Sequence, residues 1–188
     1  MVRLILLGGP GSGRGTQSQN LSQYFEITAI STGSILKEAI GGKSTLGNTA
    51  KTYVEKGEWV PDSIMIKFME ERLLERDVEN GWILEGYPRT AFQAEELDFL
   101  LKRIGQNLPI AIYLEIKESV MLDRCLARAG AEDRTEIIER RIANFQASTI
   151  PILEYYDFRG KLLRINGQQS PKQVTRSILN EIKSQIRS

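Results

Sequence analysis

The segment Gly8-Gly9-Pro10-Gly11-Ser12-Gly13-Arg14-Gly15-Thr16 is where this chain is best equipped for chemistry, and the chemistry it suits is anion binding. Glycines let the backbone turn its N–H groups inward around a phosphate without Cβ clashes. A helix opening at about Gly13 would aim its positive end at the same spot. The phosphate-loop pattern G-x-x-x-x-G-K-[ST] is met at Gly8 and Gly13. It is missed at Arg14, where lysine is expected, and at Gly15, where serine or threonine is expected. The dinucleotide fingerprint G-x-G-x-x-G fails in every register, which argues against a dinucleotide site.

Arginine is the other chemically informative residue type. Its planar, permanently charged fork matches phosphate oxygens. Arg89 follows Pro88 just beyond a strand-like run, where an open parallel sheet presents its ligand contacts. Arg124 and Arg128 stand i, i+4 on one helix face and so share a surface. The chain has no histidine and a single cysteine, Cys125, which excludes histidine catalysis, an intramolecular disulfide and a Cys/His zinc site. Lys+Arg 25 against Asp+Glu 24 gives a net charge of +1, so no long-range field points to nucleic acid or an anionic membrane. No signal-peptide pattern precedes the glycine loop and no apolar stretch is long enough to span a bilayer, so cytoplasmic residence is expected.

These residues need a scaffold. At 188 residues the chain suits one domain, with 41% hydrophobic and 26% charged residues, ordinary proportions for a globular protein. Strand signals at 3–7, 27–31, 82–85, 110–116 and 161–165 alternate with helical segments, which predicts an α/β fold with a parallel sheet covered on both faces. The nearly continuous apolar run Ile110–Leu114 reads as a buried central strand. Pro61-Asp62 is expected to open a helix with Ile64, Met65, Phe68, Met69, Leu73 and Leu74 on its core side, and 119–127 to form another. Segments 41–45 and 129–136 are the two places where the chain is expected to leave the main fold.

Four further segments, in order and correctly spaced, resemble the adenylate kinases of the nucleoside monophosphate kinase family. Ser31-Thr32-Gly33-Ser34-Ile35-Leu36-Lys37 is similar to that family's STGDLLR, and Gly57-Glu58-Trp59-Val60-Pro61-Asp62 to its G-x-x-V-P-D. Glu85-Gly86-Tyr87-Pro88-Arg89-Thr90 followed by Gln93 is similar to DG[FY]PRT…Q. Thr149-Ile150-Pro151 and Ile165-Asn166-Gly167 resemble the C-terminal portion. The resemblance spans nearly all of the chain. It implies a single domain with a P-loop NTPase fold and a five-stranded parallel sheet, a monophosphate-binding insertion at about 31–60 and a short, zinc-free lid at about 129–139.

By the same resemblance the function is Mg²⁺-dependent transfer, ATP + AMP ⇌ 2 ADP, by a monomer. ATP would be held by Gly11, Ser12, Gly13, Arg14, Gly15, Thr16, Arg124, Arg128 and Gln169. AMP would be held by Thr32, Lys37, Glu58, Trp59, Val60, Gly86, Tyr87, Pro88, Arg89, Gln93 and Arg141. Arg14, Glu85, Arg89, Arg128 and Arg141 would carry the transfer, with magnesium held by phosphates and waters and Glu85 orienting those waters. Five positions depart from the family pattern: Arg14 for lysine, Lys37 for arginine, Ser34 and Glu85 for aspartate, and Gly130 for a lid arginine. They leave an adenine-nucleotide-binding protein with weak transfer activity as the second reading. A UMP/CMP kinase is third, disfavoured by Thr32 and Gln93.

Overall fold

The computed structural model describes residues 1–55, 60–128 and 135–187. Five strands, β1 (Val2–Leu7), β2 (Thr28–Ser31), β3 (Gly81–Glu85), β4 (Ile110–Glu115) and β5 (Leu162–Asn166), form one sheet in the order β2-β3-β1-β4-β5. Every pairing is parallel, with Leu6 opposite Glu85 and Ile112 on β1–β3 and β1–β4. The helices are α1 (Arg14–Phe25), α2 (Thr32–Gly41), α3 (Thr45–Glu55), α4 (Asp62–Arg72), α5 (Ala91–Arg103), α6 (Glu118–Arg128), α7 (Thr135–Phe158) and α8 (Pro171–Arg187). The expected α/β fold with a five-stranded parallel sheet is present, each strand boundary lying within one residue of the sequence reading.

Strand alternation sends β1 into two cores at once. Ile5 and Leu7 join Trp82, Leu84 and Ala111 on the face covered by α4, α5 and the C-terminal part of α7. Leu4 and Leu6 join Ile83, Ile112 and Leu114 on the opposite face, under Leu21 of α1 and Val174, Ile178 and Ile182 of α8. Burying both faces is why the strands read as continuous apolar runs. One expectation is corrected here. Met65, Phe68, Met69 and Leu73 are buried as foreseen, but Leu74 is 63% exposed. α4 ends at Arg72 with Leu73 as its cap, so helical periodicity no longer aims the next side chain at the core.

Strand β1 is central, between β3 and β4: from β1 the chain runs to β2 on the β3 side, whereas from its neighbour β4 it runs to β5 on the other side. A crevice opens at the carboxyl ends of the strands where strand order reverses in this way. The glycine loop after β1, Glu85 at the end of β3 and Arg89 just beyond it all stand there. Among the described residues, no helix is long and apolar enough to cross a membrane.

Candidate functional site

The loop between β1 and α1 is built to receive an anion. Gly13 caps α1 in the left-handed region, at φ 94, and no side chain caps the helix; its first turn carries no acidic residue. The first backbone N–H groups of a helix have no intrahelical acceptor, so here they point into the loop with the positive end of the helix behind them. Ser12 is buried, and its Oγ has no hydrogen-bond partner among the described residues. A buried hydroxyl left in that state is costly unless a ligand completes it.

Three adjoining cavities surround the loop. The first, about 360 Å³, is lined by Gly11, Ser12, Gly13, Arg14, Gly15 and Thr16 of the loop and by Glu85, Arg124 and Arg128. Both Glu85 carboxylate oxygens face the helix start: a Cβ on Gly15 would stand 3.7 and 3.8 Å from them. The second, about 200 Å³, lies between Gly8 and Pro10 on one side and Arg89, Arg141, Asn144, Phe145 and Thr149 on the other, with Arg14 between. The third, about 270 Å³, runs from Gly11 and Thr16 past Arg124 to Gly167, Gln169 and Pro171. Arg14 therefore faces the first and second cavities, and Arg124 the first and third.

Electrostatics set the second cavity apart. Burial lowers the Arg14 pKa from its ordinary value, Glu85 opposes that shift, and Arg141 adds to it. Arg89 is lowered first by burial and then by its two like-charged neighbours, Arg14 and Arg141. Its surface stays open to the cavity while protein atoms surround it closely, which is how an accessible group is desolvated. The guanidiniums of Arg14 and Arg89 remain charged at neutral pH, since the ordinary arginine value lies far above it. Like charges held together in partial burial are relieved by an anion of matching size.

Local sequence fixes Arg89. Thr90 caps α5 by accepting the Gln93 N–H at 3.1 Å, which pins the turn after β3. Arg89 Nε donates to the Gly86 carbonyl at 2.8 Å, and its Nη2 reaches Thr32 Oγ1 at 3.4 Å. Gly86 sits at φ 84, where a Cβ would stand 2.4 Å from Thr32 Oγ1, so only glycine lets Thr32 and Arg89 meet. Ser31 caps α2 by accepting the Ser34 N–H at 3.1 Å and thereby sets Thr32 in place. Across the loop, Arg124 Nη1 donates to the carbonyls of Gly11 at 3.2 Å and Gly167 at 3.0 Å, tying the glycine loop to the turn after β5.

The remaining expected residues fall unevenly. Thr32 and Gln93 are buried and close to Arg89, and Gln93 is not a surface amide. Val60, Tyr87 and Pro88 are buried; the Tyr87 ring belongs to the core and its hydroxyl donates to the Gln93 carbonyl at 3.3 Å. Lys37 stands exposed on α2, outside the residues lining these cavities. Glu58, Trp59 and Gly130 lie outside the described residues, as does most of the expected lid.

Sequence reasoning missed Asn144, Phe145 and Thr149 in the second cavity, and Asp62, which accepts from Gln93 Nε2 at 2.7 Å. Asn144 and Phe145 follow Arg141 by three and four residues in α7, so helical spacing carried the signal. Asp62 was visible as the end of the G-x-x-V-P-D motif, but nothing local announced its contact with Gln93.

Comparison with known proteins agrees with this geometry. The adenylate kinase family model matches residues 6–161. Adenylate kinase 2 of Nostoc sp. strain PCC 7120 is 56% identical over 178 residues, covering 95% of this chain and 97% of that one. Adenylate kinase 2 of Synechocystis sp. strain PCC 6803 is 52% identical over 178 residues, covering 95% and 98%. Adenylate kinase 1 of the same Nostoc strain is 43% identical over 178 residues, covering 95% and 97%. With its glycine loop at the carboxyl edge of a five-stranded parallel sheet and these relatives along nearly its whole length, the chain is a P-loop α/β protein that belongs to the adenylate kinase family.

Proposed function

We propose that the chain catalyses ATP + AMP ⇌ 2 ADP, with ATP phosphates in the first cavity and the AMP phosphate in the second. One observation carries the reading: Arg14 lines both cavities, so one guanidinium lies between a helix-capped phosphate site and a site shared with Arg89 and Arg141. Transfer between two anions needs positive charge at both phosphates and on the group in flight, and an arrangement that brings attacking and leaving oxygens into line. Arg89 and Arg141 hold the acceptor phosphate, Arg14 and Arg128 the transferring group, and the loop N–H groups with Ser12 and Thr16 the remaining donor oxygens. Arg124 and Gln169 line the third cavity, where the ATP base and sugar fit. Thr32 and Gln93 stand on the acceptor side and read the AMP base, with Val60 and the turn Gly86–Pro88 shaping its floor. Lys37 of the insertion at 31–60 completes the AMP side, with Glu58 and Trp59, which lie outside the described residues, as its further candidates.

Magnesium enters with ATP. Among the described residues no group of three or more His, Cys, Asp or Glu side chains converges to hold a metal directly. The donor set at the loop is one carboxylate, Glu85, facing Gly15, which has no hydroxyl to offer. That set fits a hydrated ion carried by phosphate oxygens, with Glu85 accepting hydrogen bonds from its waters. When bound, the ion neutralises phosphate charge; the chain's own arginines do the positioning. The reaction places the protein where ATP and AMP meet, in the cytoplasm.

The kinase name borne by relatives 56% and 52% identical supports transfer over mere nucleotide binding. It likewise supports AMP over UMP or CMP as acceptor. The test is ADP formation from ATP and AMP with Mg²⁺, run beside UMP, CMP and GMP. AMP is expected to be the fastest acceptor; no ADP formed, or UMP turned over faster, would overturn the assignment.

A further inference from the structure

The carboxamide of Gln93 is held at both ends. Its Oε1 accepts the Arg89 backbone N–H at 2.7 Å, and its Nε2 donates to Asp62 Oδ1 at 2.7 Å. A main-chain N–H only donates and a carboxylate only accepts, so the two contacts together admit one orientation of the amide. Asp62 is itself fixed, because Thr90 Oγ1 donates to its second oxygen, Oδ2, at 3.2 Å. Thr90 also caps α5, and Asp62 stands in the first turn of α4. The lock therefore joins the starts of two helices.

From this geometry we infer that Asp62 is a specificity-determining positioning residue, which fixes the flip of Gln93 so that the acceptor site takes 6-aminopurine monophosphates and rejects 6-oxopurine ones. The inference rests on the reading that Gln93 faces the base of AMP. With one Nε2 hydrogen and one Oε1 lone pair engaged, Gln93 keeps one donor and one acceptor in a fixed order. Adenine offers an amino donor beside a ring-nitrogen acceptor on either edge that carries its 6-amino group. A 6-oxopurine offers a carbonyl acceptor there, beside an N–H donor on one edge and a second acceptor on the other. A freely rotating amide would serve the first 6-oxopurine edge simply by turning over. An amide held by Asp62 meets it donor to donor and acceptor to acceptor. A site that leaves its buried polar groups opposed in this way discriminates strongly.

The experiment compares kcat/KM for AMP and for inosine monophosphate, with ATP as donor, in the parent, Asp62→Asn, Gln93→Met and the double variant. Asparagine is isosteric and presents either a donor or an acceptor, so it releases the flip without opening a cavity. The preference for AMP is expected to fall about tenfold in Asp62→Asn, with the KM for ATP within about twofold of the parent. In the Gln93→Met background the same change is expected to move the preference no further, since the effect runs through Gln93. Retention of the parent's preference in Asp62→Asn, or an equal change when Gln93 is absent, would overturn the inference. If Asp62→Asn does not fold, Asp62→Ser, whose hydroxyl also donates or accepts, is read by the same criteria, with calorimetric binding of the two monophosphates as a readout independent of turnover. A parent that phosphorylates no AMP overturns the kinase reading itself, a result seen before any variant is made.

Discussion

At the carboxyl edge of the sheet, Arg14, Arg89 and Arg141 line one cavity of about 200 Å³. At the amino edge, Asp98, Tyr155 and Arg159 lie beside a larger cavity of about 540 Å³. The second group neutralises itself. Tyr155 donates its hydroxyl to Asp98 Oδ2, Arg159 Nε stands 3.6 Å from the same oxygen, and the Arg159 guanidinium covers the Tyr155 ring at 3.5 Å. Nearby, Gln106 Oε1 accepts from Arg3 Nε at 2.7 Å and from the buried indole of Trp82 at 3.1 Å. In the first group, Arg141 lowers the proton affinity of Arg14 against the opposing pull of Glu85, and Arg14 and Arg141 both lower that of Arg89. The size of a single cavity therefore does not by itself distinguish the two ends. What distinguishes the two groups is that one sets a carboxylate against an arginine and a tyrosine hydroxyl, whereas the other gathers three arginines of like charge around one cavity.

The sharpest way to break that contrast is Arg89→Ala. It is expected to lower kcat/KM for AMP by about 10³-fold or more if, as proposed, the guanidinium contacts the acceptor phosphate in the transition state. Folding stability should fall by about 1–2 kcal/mol, the scale of its bonds to Gly86 and Thr32, with relief of like-charge repulsion in the opposite direction. Ordinary AMP turnover in that variant would return Arg89 to a merely structural role.

Ligand-induced stabilisation sharpens the same contrast with a smaller signal. Saturation to about 100 Kd contributes about 2.7 kcal/mol, a rise in Tm of roughly 5–10 °C for a chain of this size. ATP and AMP should each produce such a shift in the parent, whereas Arg89→Ala should keep the ATP shift and lose the AMP shift. Equal loss of both would mean that the two cavities are one site.

The strands were legible because parallel strands buried on both faces become apolar runs such as Leu4–Leu7, and the glycine loop was legible because its residues are contiguous. Leu74 was misplaced because nothing in its apolar character says that α4 has already stopped. The site's second layer was hidden for a different reason. Asp62 and Gln93 are 31 residues apart, on separate helices, and Arg124 finds its carbonyls 113 and 43 residues away. Such contacts come from the packing of α4 on α5 and of α6 beneath the loop, which no periodicity within one element encodes.

At the amino edge, variants should change stability and leave chemistry alone. Gln106→Leu removes the acceptor of both Arg3 and Trp82, and Trp82 is fully buried. Stranding the indole N–H is expected to cost about 1–3 kcal/mol, read as a lower denaturant midpoint, with kcat/KM for AMP within about twofold of the parent. A large loss of turnover at full folding would show that the two edges are coupled through β1 and β3.

The smallest expected effect is a slope with pH. Burial pushes the Asp98 carboxyl above its ordinary value, ahead of the opposing influence of the Tyr155 hydrogen bond and of Arg159. Its other oxygen, Oδ1, is buried without a hydrogen-bond partner among the described residues, which is consistent with that cause. The folded protein therefore holds this proton more tightly than the unfolded chain does. Stability contributed by Asp98 is complete below the unfolded carboxylate value of about 3.9 and is lost as pH rises through the folded value. Asp98→Asn has no such titration. Its unfolding free energy relative to the parent should climb with pH just above that value and level off once the folded carboxyl has ionised, as measured by urea unfolding at a series of pH values. A flat difference, or one that falls, would mean that Tyr155 and Arg159 outweigh burial and hold the carboxylate charged. A parallel slope in kcat/KM would break the separation between the edges, because the charge at Asp98 would then be felt at the arginines across the sheet.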